Sequence, residues 1–229
     1  MVVIGLMRFA VTSDIHAPLM LKEFERSLGN VDKDIDYFFL LGDIIDKNQH
    51  FYLKKVYIII KEYFPNTKIY SVFGNNEYFA FRETYKKEYN YLNWIDDSIV
   101  EIENYYILGT EGVLDSLTYW MKKNASWVKE TWNERLRKIE NLLENVKDKK
   151  VILLSHYGLS YTTVSGDPTL PSLLASKKME EIIKKYSEKI KIALHGHSHL
   201  AKIWKTKINE TEIYNISFYI HKKPLVFEI

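Results

Sequence analysis

Cysteine is absent from the 229 residues. That absence removes disulfide frameworks, zinc knuckles, CxxC redox pairs and thiolate nucleophiles together. Any metal site must therefore use His, Asp, Glu or Asn. Long apolar runs are missing too: stretches such as residues 56–60 fall far short of the roughly 18 residues that a membrane span needs. A soluble protein with no membrane partner is expected. Residues 1–7 are apolar but carry no basic segment, so they read as a strand and not as a signal peptide, with Met7 as an alternative start and the cytoplasm as the expected location. Charge of one sign is also lacking. Lys plus Arg total 32 against 30 Asp plus Glu, a net +2, which is too little for a field that would gather a polyanion. Nucleic acid is neither implied nor excluded. There is no GxxxxGK[ST] phosphate loop, and Gly158-Leu159-Ser160-Tyr161-Thr162 lacks the final glycine of a nucleophile elbow. No repeat and no Gly/Ser or Pro-rich linker interrupts the chain.

What is present is ordinary globular composition, 46% apolar and 27% charged in 27.2 kDa, sized for a single domain over residues 1–229. Apolar runs at residues 9–12, 37–41, 69–73, 151–154 and 190–194 have strand length, and each ends in a polar cluster. Helical spacing lies between them. Residues 17–28 carry Leu21, Phe24 and Leu28 with Pro18 in the first turn, residues 50–64 stop at Pro65, and residues 177–186 form a fourth helix. The longest, residues 126–146, has one apolar stripe from Val128 to Val146, with Ser126 placed to cap it. Residues 99–109 and the tail at 202–229 read as hairpins, with Glu103-Asn104 and Asn209-Glu210 as turns. Parallel units beside antiparallel strands point to α/β architecture with mixed sheets, or two sheets face to face with helices outside.

The polar clusters are Asp14-Ile15-His16, Gly42-Asp43, Gly74-Asn75-Asn76-Glu77, Ser155-His156 and Gly196-His197-Ser198-His199. Loops beyond the carboxyl ends of strands are where ligands gather in α/β folds. Singly, each has a plain explanation. Asp14 could cap a helix, Gly74-Asn75 could be a turn, and His156 could be a buried, satisfied histidine. Jointly they do not, because His16, His156, His195, His197 and His199 are five of only seven histidines. Imidazoles, carboxylates and an amide oxygen are donors suited to Mn, Fe, Zn, Co or Ni and not to calcium.

In order, these blocks resemble the calcineurin-like metallophosphoesterase superfamily pattern of D-x-H, GD, GN-x-[E/D], H and GHxH, spanning residues 14–199. The resemblance implies a four-layer α-β-β-α sandwich with two mixed sheets. It implies two divalent transition metals, manganese favoured, with Asp14, His16 and His199 on one, Asn75, His156 and His197 on the other, and Asp43 shared. It also implies hydrolysis of a small phosphate ester by a hydroxide shared between the metals.

One position departs from the pattern. Where many members of the superfamily have a histidine that protonates the leaving oxygen, oriented by the next acidic residue, this chain has Asn76 before Glu77. An amide cannot donate a proton as an acid; it can only hydrogen-bond a phosphoryl oxygen. Either the leaving group is good, or His195 serves as the acid, or catalysis is slow; His195 can equally be a supporting core residue. Members similar to this chain in lacking the histidine act on phosphodiesters, which favours a phosphodiesterase. A nuclease or nucleotide phosphatase, and a low-activity scaffold of the same fold, are the alternatives. By position, residues 118–146 and 157–171 would shield and rim the site. Trp94, Trp120, Trp127 and Trp132 are candidates for a stacking surface or, more simply, for packing.

Overall fold

The structure, a computed structural model, describes residues 6–229. The strand expected over residues 1–7 falls largely outside these residues. Two β-α units open the described chain: β1 (Arg8–Thr12), α1 (Leu21–Leu28), β2 (Tyr37–Leu41), α2 (Phe51–Tyr63) and β3 (Lys68–Val72). Helix α3 (Arg82–Glu88) leads to the hairpin of β4 (Ser98–Ile102) and β5 (Tyr105–Thr110). Next come α4 (Tyr119–Asn124), α5 (Val128–Asn145), β6 (Lys150–Ser155), α6 (Lys177–Lys185) and β7 (Ile190–His195). A second hairpin, β8 (Lys205–Ile208) with β9 (Thr211–Asn215), is followed by the one-turn helix α7 (Phe218–His221) and by β10 (Leu225–Glu228).

The strands form a 4-stranded sheet in the order β10-β1-β2-β3 and a 6-stranded sheet in the order β4-β5-β6-β7-β9-β8. Both sheets are mixed, with parallel centres and antiparallel edges β10, β4 and β8. Side-chain alternation explains the layering. In β2, Phe38 and Leu40 face α1 and α2 while Phe39 and Leu41 face the other sheet; in β6, Val151 and Leu153 face α5 and α6 while Ile152 and Leu154 face inward. A strand covered on both faces must be apolar at every position, which is why these runs carry no polar residue to mark an outer face. Helix α1 docks through Phe24 and Leu28, both buried; each such side chain stabilises by about 1.5–3 kcal/mol. The result is a helix-sheet-sheet-helix sandwich.

Three local expectations need correction. The first helix begins at Leu21 and not at residue 17, because Ala17 is committed elsewhere: its N–H donates to the Ile44 carbonyl at 2.8 Å and its carbonyl accepts from Asp46 at 3.0 Å. Ser126 does not cap α5; Trp127 occupies that position with no side-chain cap, whereas Ser176 does cap α6 by accepting from Lys178 N–H. The tail is only partly a hairpin. After β9 the chain leaves the larger sheet, and β10 pairs with β1 from Arg8–Glu228 to Val11–Leu225.

Candidate metal centre

The loops after β1, β2, β3, β6 and β7 meet, and they bring together Asp14, His16, Asp43, Asn75, His156, His197 and His199. One potential ligand atom from each of Asp14, His16 and His199 lies within 4.8 Å of the others, and the same holds for Asp43, His156 and His197. Asp43 stands between the two groups: its Oδ2 is 3.6 Å from His16 Nε2 and its Oδ1 is 3.6 Å from His156 Nε2. Asn75 Oδ1 joins the second group, 3.1 Å from His156 Nε2.

The backbone is bent to achieve this. Asp14, His16, Asp43 and His197 have φ of 57°, 44°, 47° and 70°, the left-handed region that non-glycine residues enter at a cost and that clusters at functional sites. Two glycines admit the close approach. A Cβ on Gly74 would lie 2.4 Å from both the amide nitrogen and Oδ1 of Asp43, and one on Gly196 would lie 2.2 Å from Ser13 Oγ.

Fixed hydrogen bonds hold each carboxylate. Asp14 accepts from Ser13 Oγ at 2.6 Å and from the His197 N–H at 3.1 Å. Asp43 accepts from the Asn76 N–H at 2.8 Å and the Asn76 side-chain amide at 2.7 Å. Buried Glu77 accepts the backbone N–H groups of Asp43, Ile44, Ile45 and Gly74, so one carboxylate joins the loops after β2 and β3. Burial and the charge of Asp43 push Glu77 up to about 7 against those donors.

The donor chemistry fits a pair of divalent cations. His156 Nδ1 lies 3.0 Å from the Leu41 carbonyl, so Nε2 is the ring nitrogen that faces the Asn75 oxygen. His16 and His199 likewise present Nε2 atoms 3.4 Å apart. Imidazole nitrogens, carboxylate oxygens and an amide oxygen converging in this way are a ligand set for a cation. Burial would raise Asp14, but the hydrogen bond from His199 and the neighbouring imidazole charges hold it well below the usual carboxylate range. Burial lowers His197 to about 4, leaving a neutral ring. Burial also opposes protonation of His156, yet Asp43 and Asp14 outweigh it and the ring ends more basic than usual. The pocket thus calls for positive charge.

His195 lies apart from this cluster. It is fully buried, Nδ1 is 2.9 Å from the Gly196 carbonyl and Nε2 is 2.6 Å from Thr163 Oγ1, and burial lowers it to about 4. Both nitrogens are engaged, so its geometry is that of a packing residue and not of a leaving-group acid. Asn76 is engaged as well, its Oδ1 accepting from the Lys47 N–H at 3.0 Å. Its amide nitrogen donates to Asp43 at 2.7 Å, and the residue also forms part of the cavity wall. Of the segments expected near the site, residues 118–135 do line a cavity beside Asn75, Asn76 and His197. Tyr161 does not: its hydroxyl donates to Asp115 at 2.8 Å. Trp94 stacks on Phe73 at 4.2 Å, inside the fold.

Several neighbours of the cluster have no linear signature. The Tyr219 ring, from α7, lies parallel to His199 at 4.3 Å. Arg82 donates to the Gly74 and Glu77 carbonyls and pairs with Glu111 at 2.8 Å. Arg135 in turn pairs with Glu111 at 3.1 Å and with Asp97 at 2.9 Å. Only the Ser13–Asp14 adjacency could have been suspected from the sequence.

Paired mixed sheets that deliver imidazoles and carboxylates from loops at one end into two adjoining donor groups define a class, the metal-dependent hydrolases. A model of the calcineurin-like phosphoesterase family matches residues 7–201, and the chain belongs to that family, for which a dinuclear divalent metal centre is implied. Solved structures agree on the fold. A phosphopantetheinyl hydrolase from Mycobacterium tuberculosis is similar with TM-score 0.64 at 13% identity, over 94% of this chain and 90% of that one. A dimetal phosphatase from Danio rerio gives TM-score 0.62 at 12% identity, over 92% and 87%. An NAD nucleotidase from Haemophilus influenzae gives 0.53 at 15%, over 98% of this chain but 47% of that one. No protein of curated function matches the chain. Among the described residues, no helix is long and apolar enough to cross a membrane.

Proposed function

We propose that this chain is a phosphodiesterase working with two divalent ions, manganese favoured, in the cytoplasm. Asp14, His16 and His199 would hold one ion and Asn75, His156 and His197 the other, with Asp43 shared. The observation that carries the reading is the Asp43 carboxylate, whose two oxygens each lie 3.6 Å from an imidazole of a different donor group. When bound, such a pair of ions supplies an activated water and neutralises charge on the phosphoryl oxygens.

The protein's own contribution is orientation. Asn76 fixes the Asp43 carboxylate through two donated hydrogen bonds. Glu77 locks the loops that carry Asp43 and Asn75, and Ser13 with the His197 N–H fixes Asp14. Neither Asn76 nor His195 offers a proton to the departing oxygen. The leaving group therefore departs as a weakly basic anion and takes its proton from solvent, so the roughly 100- to 10,000-fold assistance of a general acid is missing.

The test is an assay of manganese-loaded protein on bis-p-nitrophenyl phosphate against p-nitrophenyl phosphate, with Asp43→Asn as control. Diester turnover that exceeds monoester turnover and vanishes in the control is expected. Equal turnover by wild type and control would refute the two-metal reading, and monoester preference would refute the diester assignment. Among diesters, rates should fall steeply as leaving-group basicity rises.

A further inference from the structure

The cavity beside the donor cluster has a volume of about 700 Å³, within the range of small-molecule sites. Asn75, Asn76 and His197 form part of its wall, so it is continuous with the place where phosphorus would sit. Most of the remaining wall is apolar: Phe79, Trp120, Met121, Trp127 and Trp132. Trp120, Phe79 and Trp127 are 65%, 58% and 49% exposed, large apolar surfaces that folding alone leaves uncovered.

The charged groups on its floor are already spent on each other. Arg82 and Arg135 pair with Glu111, and Arg135 pairs with Asp97, so two cations meet two anions. Burial keeps the Tyr157 hydroxyl neutral, well above its ordinary range. Nothing in that floor would compensate a second phosphate or a carboxylate; an ionic occupant would lose its hydration without a partner. The wall instead rewards apolar area removed from water.

We propose that this cavity takes an organic group of the phosphate ester, and that the group is large, uncharged and mainly apolar. The inference rests on the phosphoesterase reading above and names its substrate class. Trp127 and Thr131, one turn apart on the same face at the start of α5, both line the cavity and set the preference. Aryl and alkyl groups share this chemistry.

The test uses dimethyl, dihexyl and diphenyl phosphate, monoanions that differ only in apolar bulk, titrated by calorimetry into the metal-free protein. Dihexyl or diphenyl phosphate should bind roughly ten- to a hundredfold tighter than dimethyl phosphate; tighter diphenyl phosphate assigns an aryl group, tighter dihexyl phosphate an alkyl chain. Thr131→Trp, which fills the cavity, should remove most of that preference. Trp127→Ala, at a position that is 49% exposed, should reduce it severalfold. Equal binding of the three diesters, or a preference that survives both variants, would overturn the inference. Because no metal is present, its failure is separable from that of the catalytic reading. Diester hydrolysis without the binding preference sinks only the cavity, and the preference without manganese-dependent hydrolysis sinks the phosphoesterase reading.

Discussion

Around Asp43, nearly every polar atom is held. The Glu77 carboxylate takes its N–H, the Asn76 backbone and side chain take its two oxygens, and the loop glycines leave no room for displacement. Beside it, the cavity wall is made largely of aromatic rings that pack on one another, as Phe79 does on Trp127 at 5.5 Å, and that stay partly exposed. The cluster is assembled from strand ends and strained backbone; the cavity is assembled mainly from α4 and α5, inserted between β5 and β6, with Phe79 and Arg82 from the segment after β3. Reaction chemistry demands fixed atoms, whereas selectivity for apolar bulk needs only shape and area. The two regions are joined by Arg82, which holds the Gly74 and Glu77 carbonyls on one side and Glu111 on the other.

That contrast is most sharply broken by Asp43→Asn. Turnover should drop by at least roughly a thousandfold, on the scale of lost electrostatic stabilisation, while thermal unfolding moves little; a variant that unfolds instead would show that Asp43 serves structure. Next, Arg135→Met leaves Glu111 and Asp97 without one of their cations and should cost about 3–5 kcal/mol, read from urea unfolding. An unchanged midpoint would mean that the charged floor adds nothing. Gly196→Ala should weaken metal binding by about 10- to 100-fold through displacement of Ser13 and Asp14, measured by competition with a chelator. Asn76→Ala should lower turnover similarly without altering the cavity's preference among diesters. A shift in that preference would merge the two regions into one.

The smallest effect expected is on pH. Burial would raise Glu111, but Arg82 and Arg135 bring it down to about 2 from an ordinary 4.5. A carboxyl depressed on folding contributes stability that is complete above its unfolded value and is lost as pH falls through its folded one. Stability should therefore decline between about pH 4.5 and 2, and Glu111→Gln should flatten that decline in acid-denaturation curves.

How much was legible follows the same division. The runs at residues 37–41 and 151–154 announced strands because both faces are covered, and the polar clusters at their ends carried chemistry in a fixed order. Helix starts were less legible: Pro18 suggested a first turn, but Ala17 bonds to the loop after β2, a partner that local sequence does not reveal. The role of Asn76 was half legible. Its inability to act as an acid follows from its amide, but its grip on Asp43 needed coordinates. Arg82, Glu111, Arg135 and Tyr219 left no trace, since pairings between distant residues have no period and no motif. In the sequence the tryptophans are indistinguishable, and only the fold separates Trp94, packed on Phe73, from Trp120 and Trp127 at the cavity.

The left-handed turns at Asp14 and Asp43 have a consequence for how such a protein can change over generations. Asparagine enters that conformation as readily as aspartate, so a single exchange at either turn would silence the proposed hydrolysis without adding backbone strain. A descendant could thus keep the architecture and its apolar recess intact, and pass from cutting a ligand to merely retaining it, by one mutation.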